Sequence, residues 1–169
     1  MRALVVYESM WGNTEQVARA IAEGIAETDT VEVVEVASAP AEPGVDVSLI
    51  VAGGPTHAFS MSRPATRAEA HHRGAPNGSE AIGIREWLDA LPVGRHPQTV
   101  ATFDTKAGRV KHLPGSAAKK AGKVAGRHGY AKADHAQSFL VADTEGPLLD
   151  GELQRAAEWG RQLATTRRS

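Results

Sequence analysis

The chain switches repeatedly between two hydrophobic periods. Residues 3–7, Ala-Leu-Val-Val-Tyr, are an unbroken apolar run, which predicts a strand covered on both faces. From Asn13 to Glu27 the period lengthens. Val17, Ala18, Ile21, Ala22 and Ile25 then share one helical face, and Glu15, Arg19, Glu23 and Glu27 take the other. Residues 31–36, Val-Glu-Val-Val-Glu-Val, are apolar but broken by glutamates, as on an edge strand. A loop of alanine, proline and glycine from Ala39 to Gly44 leads to a second buried strand, Val47 to Gly53, which ends in Gly53-Gly54-Pro55. A long irregular stretch to about Ser79 has room for a short helix starting near Ser62 and Pro64. Ile84, Trp87, Leu88 and Leu91 return to helical spacing until Pro92 and Gly94 stop it. Thr99 to Phe103 reads as strand four, Ser116 to His128 as a helix of alanine, glycine and lysine, Ser138 to Ala142 as strand five, and Gly151 to Ala164 as the closing helix.

Strands that alternate with helices predict a parallel sheet with right-handed crossovers. Five strands in a chain of 169 residues match a doubly wound, three-layer α/β/α arrangement with order 2-1-3-4-5, one domain over residues 1–169. In that order ligands sit at the carboxyl ends of the strands, beside the switch point between strands one and three. The polar turn from Glu8 to Thr14 and the longer loops after strands three and four all fall on that edge.

Composition narrows the chemistry. Cysteine is absent, which excludes thiol nucleophiles, redox disulfides, iron–sulfur clusters and thiolate zinc sites together. The apolar start is too short for a signal peptide or a membrane span, so a cytoplasmic location is the default. The net charge of −1 gives no reason to expect a nucleic-acid partner, but the charge is unevenly spread. Acids dominate before Met61, whereas residues 106–132 carry Lys106, Arg109, Lys111, Lys119, Lys120, Lys123, Arg127 and Lys132 without a single acid. Such asymmetry bears on partner docking more than on fold.

The turn Ser9-Met10-Trp11-Gly12-Asn13-Thr14 joins a buried strand to a helix start. A phosphate needs converging backbone N–H groups, small hydroxyl donors and the positive end of a helix dipole. Ser9, Asn13 and Thr14 supply donors, and Gly12 lets the backbone turn close to an anion; the plainer alternative is that Asn13 or Thr14 only caps the helix. No G-x-x-x-x-G-K-[ST] or G-x-G-x-x-G loop is present, and the aspartate of a phospho-receiver domain is replaced by Ala52-Gly53-Gly54 at the end of strand three. No Gly-x-Ser-x-Gly elbow exists for a hydrolase. His71 and His72 are adjacent and cannot face one metal from a helix; with Arg67 and Arg73 they read as a solvated helical surface. Trp87 and Trp159 read as core.

Residues 7–15, Tyr-Glu-Ser-Met-Trp-Gly-Asn-Thr-Glu, closely resemble the FMN phosphate loop of flavodoxin domains, notably those of flavodiiron-type proteins. Gly53-Gly54-Pro55-Thr56-His57 resembles that family's loop after strand three, and residues 139–149 with Gly151-Glu152-Leu153 resemble the end of small flavodoxin-family proteins. The resemblance implies a short-chain flavodoxin-like fold. It would place the ribityl phosphate of FMN on Ser9, Met10, Trp11, Gly12, Asn13 and Thr14, and would line one side of the ring with Pro55, Thr56, His57 and Phe59. The loop after strand four, Phe103, Asp104, Thr105 and Lys106, would lie on the other side. That loop lacks the family's stacking aromatic beyond Phe103, and Lys106, Arg109 and Lys111 stand where the aromatic belongs; a lysine pointing at the ring would favour a reduced, anionic flavin. The chain also lacks the strong acidity of electron-carrier flavodoxins. The implied function is FMN-based redox chemistry with a partner protein or a small-molecule electron acceptor. Carriers and FMN-dependent reductases or oxidases, such as the flavodoxin-like protoporphyrinogen oxidases, both remain open. So does a binding module that has lost FMN and acts through protein partners.

Overall fold

The computed structural model describes residues 2–166. Strand β1 (Arg2–Tyr7) runs parallel between β2 (Thr30–Glu35) and β3 (Val47–His57), and β3 runs parallel to β5 (Thr99–Ala107). Two short segments, β6 (Ala131–Lys132) and β7 (Gln137–Val141), follow each other along the far edge of β5. The sheet order is therefore 2-1-3-4-5 with the fifth strand broken in two. Within the break over 133–136, Asp134 Oδ2 accepts the indole N–H of Trp159 at 2.7 Å, a group that would otherwise be buried without a partner.

Alternation along the strands sorts the core into two layers. Ala3, Val5 and Tyr7 of β1 face α1 (Asn13–Ala26) and α5 (Glu152–Thr166) together with Leu49, Val51, Phe103 and Phe139. Leu4, Val6, Ile50 and Ala52 face α3 (Ile84–Ala90) and α4 (Ala117–Arg127). On the first side Gly24 and Gly160 let α1 and α5 meet backbone to backbone: a Cβ on Gly24 would lie 2.0 Å from Ala157 O, and one on Gly160 2.1 Å from Ile21 O. Trp87 and Trp159 are both buried. Among the described residues no helix is long and apolar enough to cross a membrane.

Strands three and four run further than their apolar cores indicate. β3 passes Gly53 and bends into a hairpin with β4 (Ser60–Met61), and Ala58 and Phe59 at its tip both take positive φ, 46° and 62°. β5 continues through alternating polar residues to Ala107. After the hairpin, α2 (Pro64–His72) forms at Pro64 as its proline suggests. One residue of α2 departs from the solvated surface expected of it. Arg67 is wholly buried and turns inward to acceptors behind the first loop.

Candidate functional site

The carboxyl ends of β1, β3, β5 and β7 open on a cleft whose floor is the start of α1. The chain leaves β1 through Glu8, whose N–H donates to Gly53 O at 2.9 Å, and enters the helix at Gly12 with φ 94°. A residue with a Cβ is strained at that φ, so glycine makes this entry possible. The helix starts without any side-chain cap, which leaves the amides of its first turn available to an outside acceptor. By contrast, first-turn amides are taken up at α4, where Ser116 Oγ accepts from Lys119 N–H and Asp104 Oδ2 from Ala118 N–H, and at α3, where Glu8 Oε1 accepts from Ile84 N–H.

Around this floor lies a narrow hollow of about 80 Å³ lined by Ser9, Met10, Trp11, Asn13, Thr14, Pro55, Thr56, His57, Thr105, Ala107, Val141 and Thr144. Its walls are cross-braced. Thr14 Oγ1 and Thr105 Oγ1 share a hydrogen bond of 2.7 Å, and Asn13 Nδ2 donates to Glu145 O at 3.0 Å. Ser9 Oγ accepts from Gly12 N–H at 3.1 Å, which leaves the hydroxyl proton of Ser9 free to donate. Met10 is buried against Ala70 and Ala75 and so anchors the loop to the α2 segment. A second, more open hollow of about 350 Å³ shares Trp11, Thr56, His57 and Thr144 with the first and extends along α2 past Thr66, Glu69, Ala70 and Arg73.

His57 stands where the two hollows join. Burial pushes its imidazole below the ordinary histidine value, and the charge of Arg67 acts the same way, so the ring is neutral at neutral pH. Its Nδ1 lies 3.0 Å from Thr66 Oγ1. Thr66 Oγ1 also accepts from Arg63 N–H at 2.9 Å and so ties His57 to the start of α2.

The segment after strand four divides by strand alternation. Thr105 and Ala107 line the cleft, while Asp104 and Lys106 face α4 and its preceding loop. Ser116 Oγ donates to Asp104 Oδ2 at 2.5 Å, and Asp104 thereby closes the start of α4. Lys106 Nζ donates to Leu113 O and Gly115 O, both at 3.0 Å, and so ties down the loop that leads into α4. Phe103 lies deeper on the cleft side, in the core edge-to-face with Phe139, under Gly53, where a Cβ would come 2.3 Å from the Phe103 ring. Phe59 is half exposed at the hairpin tip and backs onto Gly115. Phe59, Phe103, Asp104 and Lys106 thus do not line the hollow.

Sequence reasoning missed Ala107, Val141 and Thr144, which line the cleft from the ends of β5 and β7. The rule that ligands gather at strand carboxyl ends applies to the fifth strand as well and would have found Thr144. It also missed a buried polar cluster directly behind the loop. Glu8 accepts from Ser62 Oγ at 2.8 and 2.6 Å and from Ile84 N–H at 2.8 Å. Arg67 donates to Ser62 Oγ and pairs with Glu86 Oε1 at 3.0 Å. Burial pushes the Glu8 carboxyl above the ordinary glutamate value, against the pull of Ser62, the Ile84 amide and Arg67. Among the described residues no group of three or more histidines and acids could hold a metal ion.

Residues 5–62 match the sequence model of the flavodoxin family. No curated protein matches the chain. Solved structures with the same fold include a flavodoxin from the domain Archaea, 20% identical over 100% of both chains with a TM-score of 0.66. Oxidised Flavodoxin 1 from Bacillus cereus is 17% identical over 98% of both chains, with a TM-score of 0.69. Diflavin flavoprotein A3 from Nostoc sp. is 19% identical over 99% of this chain and 94% of its own, with a TM-score of 0.57. At these identities the likeness establishes the flavodoxin-like fold.

Proposed function

We propose that this flavodoxin-like protein binds FMN in the cleft and serves electron transfer or FMN-dependent oxidation and reduction. The observation that carries the reading is the uncapped start of α1, opened by Gly12 and set at the switch point between β1 and β3. The donor set suits a phosphate: first-turn amides, the Ser9 hydroxyl and the helix dipole. Pro55, Ala107 and Val141 give the cleft an apolar wall for a flat ring, and Trp11 stands at the junction with the second hollow. When bound, FMN would supply the one- and two-electron chemistry, and the protein supplies binding and electrostatics. The neutral His57 would border the ring without adding charge to the site.

Ser9→Ala is the cleaner probe of phosphate recognition, because the one hydrogen bond of the Ser9 side chain is to Gly12 N–H within its own loop. A hydrogen bond to a charged group is worth about 1.5–3 kcal/mol. The variant is therefore expected to bind FMN about tenfold more weakly or worse, with riboflavin binding little changed. Parallel titrations of the two flavins decide it; equal losses would remove the phosphate from this loop. Thr14→Ala is a less clean probe, since it also breaks the brace to Thr105.

One observation favours a second reading, a module without flavin: the only aromatic at the end of β5, Phe103, is in the core and presents no ring to the cleft. The colour of the purified protein distinguishes the two. Flavin absorbance supports the first, and a colourless protein unchanged by FMN titration supports the second.

A further inference from the structure

We propose that the outer face of α4, together with the gap in the fifth strand beside it, docks an acidic partner protein. The face is built by Lys119, Lys120, Lys123 and Arg127, all exposed, and continues onto Lys132 and His135 across the interrupted strand. Between helix and strand lies a hollow of about 400 Å³, where Lys119, Lys123, Lys132 and His135 stand over Thr102 and Gly122. Gly122 keeps the floor open, since a Cβ there would come within 3.3 Å of Thr102 Oγ1.

Two features separate this face from an ordinary solvated one. Arg2, Arg19, Arg109, Arg155 and Arg161 elsewhere on the surface are paired with acids; exposed Arg63, Arg73, Arg95 and Lys111 are not, but they stand on separate segments, whereas the α4 cations are gathered on one helix face. Among the described residues none of Lys119, Lys120, Lys123, Arg127 and Lys132 enters an ion pair. Asp104 at the start of the helix is taken up by Ser116 and the Ala118 N–H, and Asp134 beside Lys132 by the Trp159 indole. The lysines are also placed against the helix. α1, α3 and α5 carry a glutamate in their first turn; α4, like α2, has none, and although Asp104 of β5 closes its start, the turn itself holds Lys119 and Lys120 at the positive end of the dipole. Helix stability alone would favour glutamate there.

The face also adjoins the cleft. The N–H of Ala117, the first residue of α4, donates to Thr56 Oγ1 at 3.1 Å, and Thr56 lines both hollows of the candidate flavin site. A protein whose carboxylates engage the α4 lysines is thereby brought to the edge of that site, and a redox role for the contact rests on the FMN reading; the docking does not. Opposite charge on the two surfaces steers encounter and sets orientation.

The test compares the wild type with a Lys119→Glu, Lys120→Glu, Lys123→Glu, Arg127→Glu variant. The probe is a plant-type [2Fe–2S] ferredoxin, an acidic protein, with basic cytochrome c and a single-stranded oligonucleotide as comparators. Binding is titrated on the apoprotein at low and high salt, and FMN affinity is measured separately on both proteins. The wild type is expected to bind the ferredoxin in a salt-sensitive way, and the variant at least about tenfold more weakly while still melting as a folded protein. No salt-dependent binding of the acidic protein, equal binding by the variant, or tighter binding of cytochrome c or the oligonucleotide overturns the proposal. Loss of FMN binding with docking intact overturns only the flavin reading.

Discussion

Arg67→Met is expected to destabilise the fold by about 3–5 kcal/mol, the range seen when one member of a buried charged cluster is removed. Arg67 is fully buried, donates to Glu80 O at 2.9 Å and Ser62 Oγ at 2.8 Å, and pairs with Glu86. Methionine fills most of the volume but leaves those acceptors facing an apolar chain, and it leaves Glu8 buried with no cation near it. The loss should also depend on pH in a defined direction. In the wild type the two glutamates oppose each other. The Glu8 value is raised by burial, so its contribution is greatest in acid and is lost as pH rises past the ordinary glutamate range. For Glu86, burial acts upward, but the bonds from Arg67 and the backbone outweigh it and lower the value; its contribution is present at neutral pH and lost in acid. Removing Arg67 takes away the lowering influence on both. The folded variant then holds protons more tightly than its unfolded chain, and its deficit must widen as pH rises. Urea unfolding at pH 5 and pH 8 checks both parts. A deficit under about 1 kcal/mol, or one larger at pH 5, would show that the cluster is not held by this charge. Glu8→Gln in the Arg67→Met background should recover part of the loss at pH 8, since it removes the carboxylate left alone.

What the sequence made legible, and what it hid, follows from the range of the interactions involved. The strand and helix of residues 2–26 are local: unbroken apolar residues in one, helical spacing in the other, and a glycine-bearing polar loop between them. The structure sets them where that pattern predicts. Phe103-Asp104-Thr105-Lys106-Ala107 illustrates the limit of composition. Polar residues after an apolar run read as a loop, but here they alternate across a continuing strand, with Thr105 on the cleft and Asp104 and Lys106 beside α4. Arg67 illustrates another limit. On a helix of alanines and histidines it reads as solvated, and nothing within α2 reveals that its partners are Ser62, Glu80 and Glu86 in the segments on either side. The broken fifth strand belongs to the same class, because the partner of Asp134 within the break is an indole on the distant closing helix. Gly24 and Gly160 are alike in this: nothing within either helix reveals that their role is contact between two backbones.

Gly24→Ala and Gly160→Ala are each expected to lower stability by about 2 kcal/mol or more, although alanine gains about 1 kcal/mol in helix propensity. The clash is with backbone at both positions: the added Cβ would meet Ala157 O at 2.0 Å or Ile21 O at 2.1 Å, and neither carbonyl can turn aside without unwinding its helix. The helices must separate, and the separation opens the layer of Ile21, Ile25, Ala156 and Leu163 between sheet and helices. Gly126 is the internal control. It is exposed in α4, and a Cβ there meets nothing within 4 Å, so Gly126→Ala should keep the propensity gain and stabilise by about 0.5–1 kcal/mol. For a domain of this size 1 kcal/mol moves the melting temperature by about 2–4 °C. Thermal melts should therefore place the two contact variants about 4–8 °C or more below the wild type and the control slightly above it. The same displacement reaches the cleft, because α1 carries the phosphate loop at its amino end while α5 fixes its far half. Gly24→Ala should then weaken FMN as well, although Gly24 lies in the last turn and a half of α1 and lines neither hollow of the cleft. Gly126→Ala should leave FMN affinity unchanged. A Gly24→Ala protein that melts with or above the wild type would show that α1 and α5 have freedom to slide that the close approach of their backbones denies.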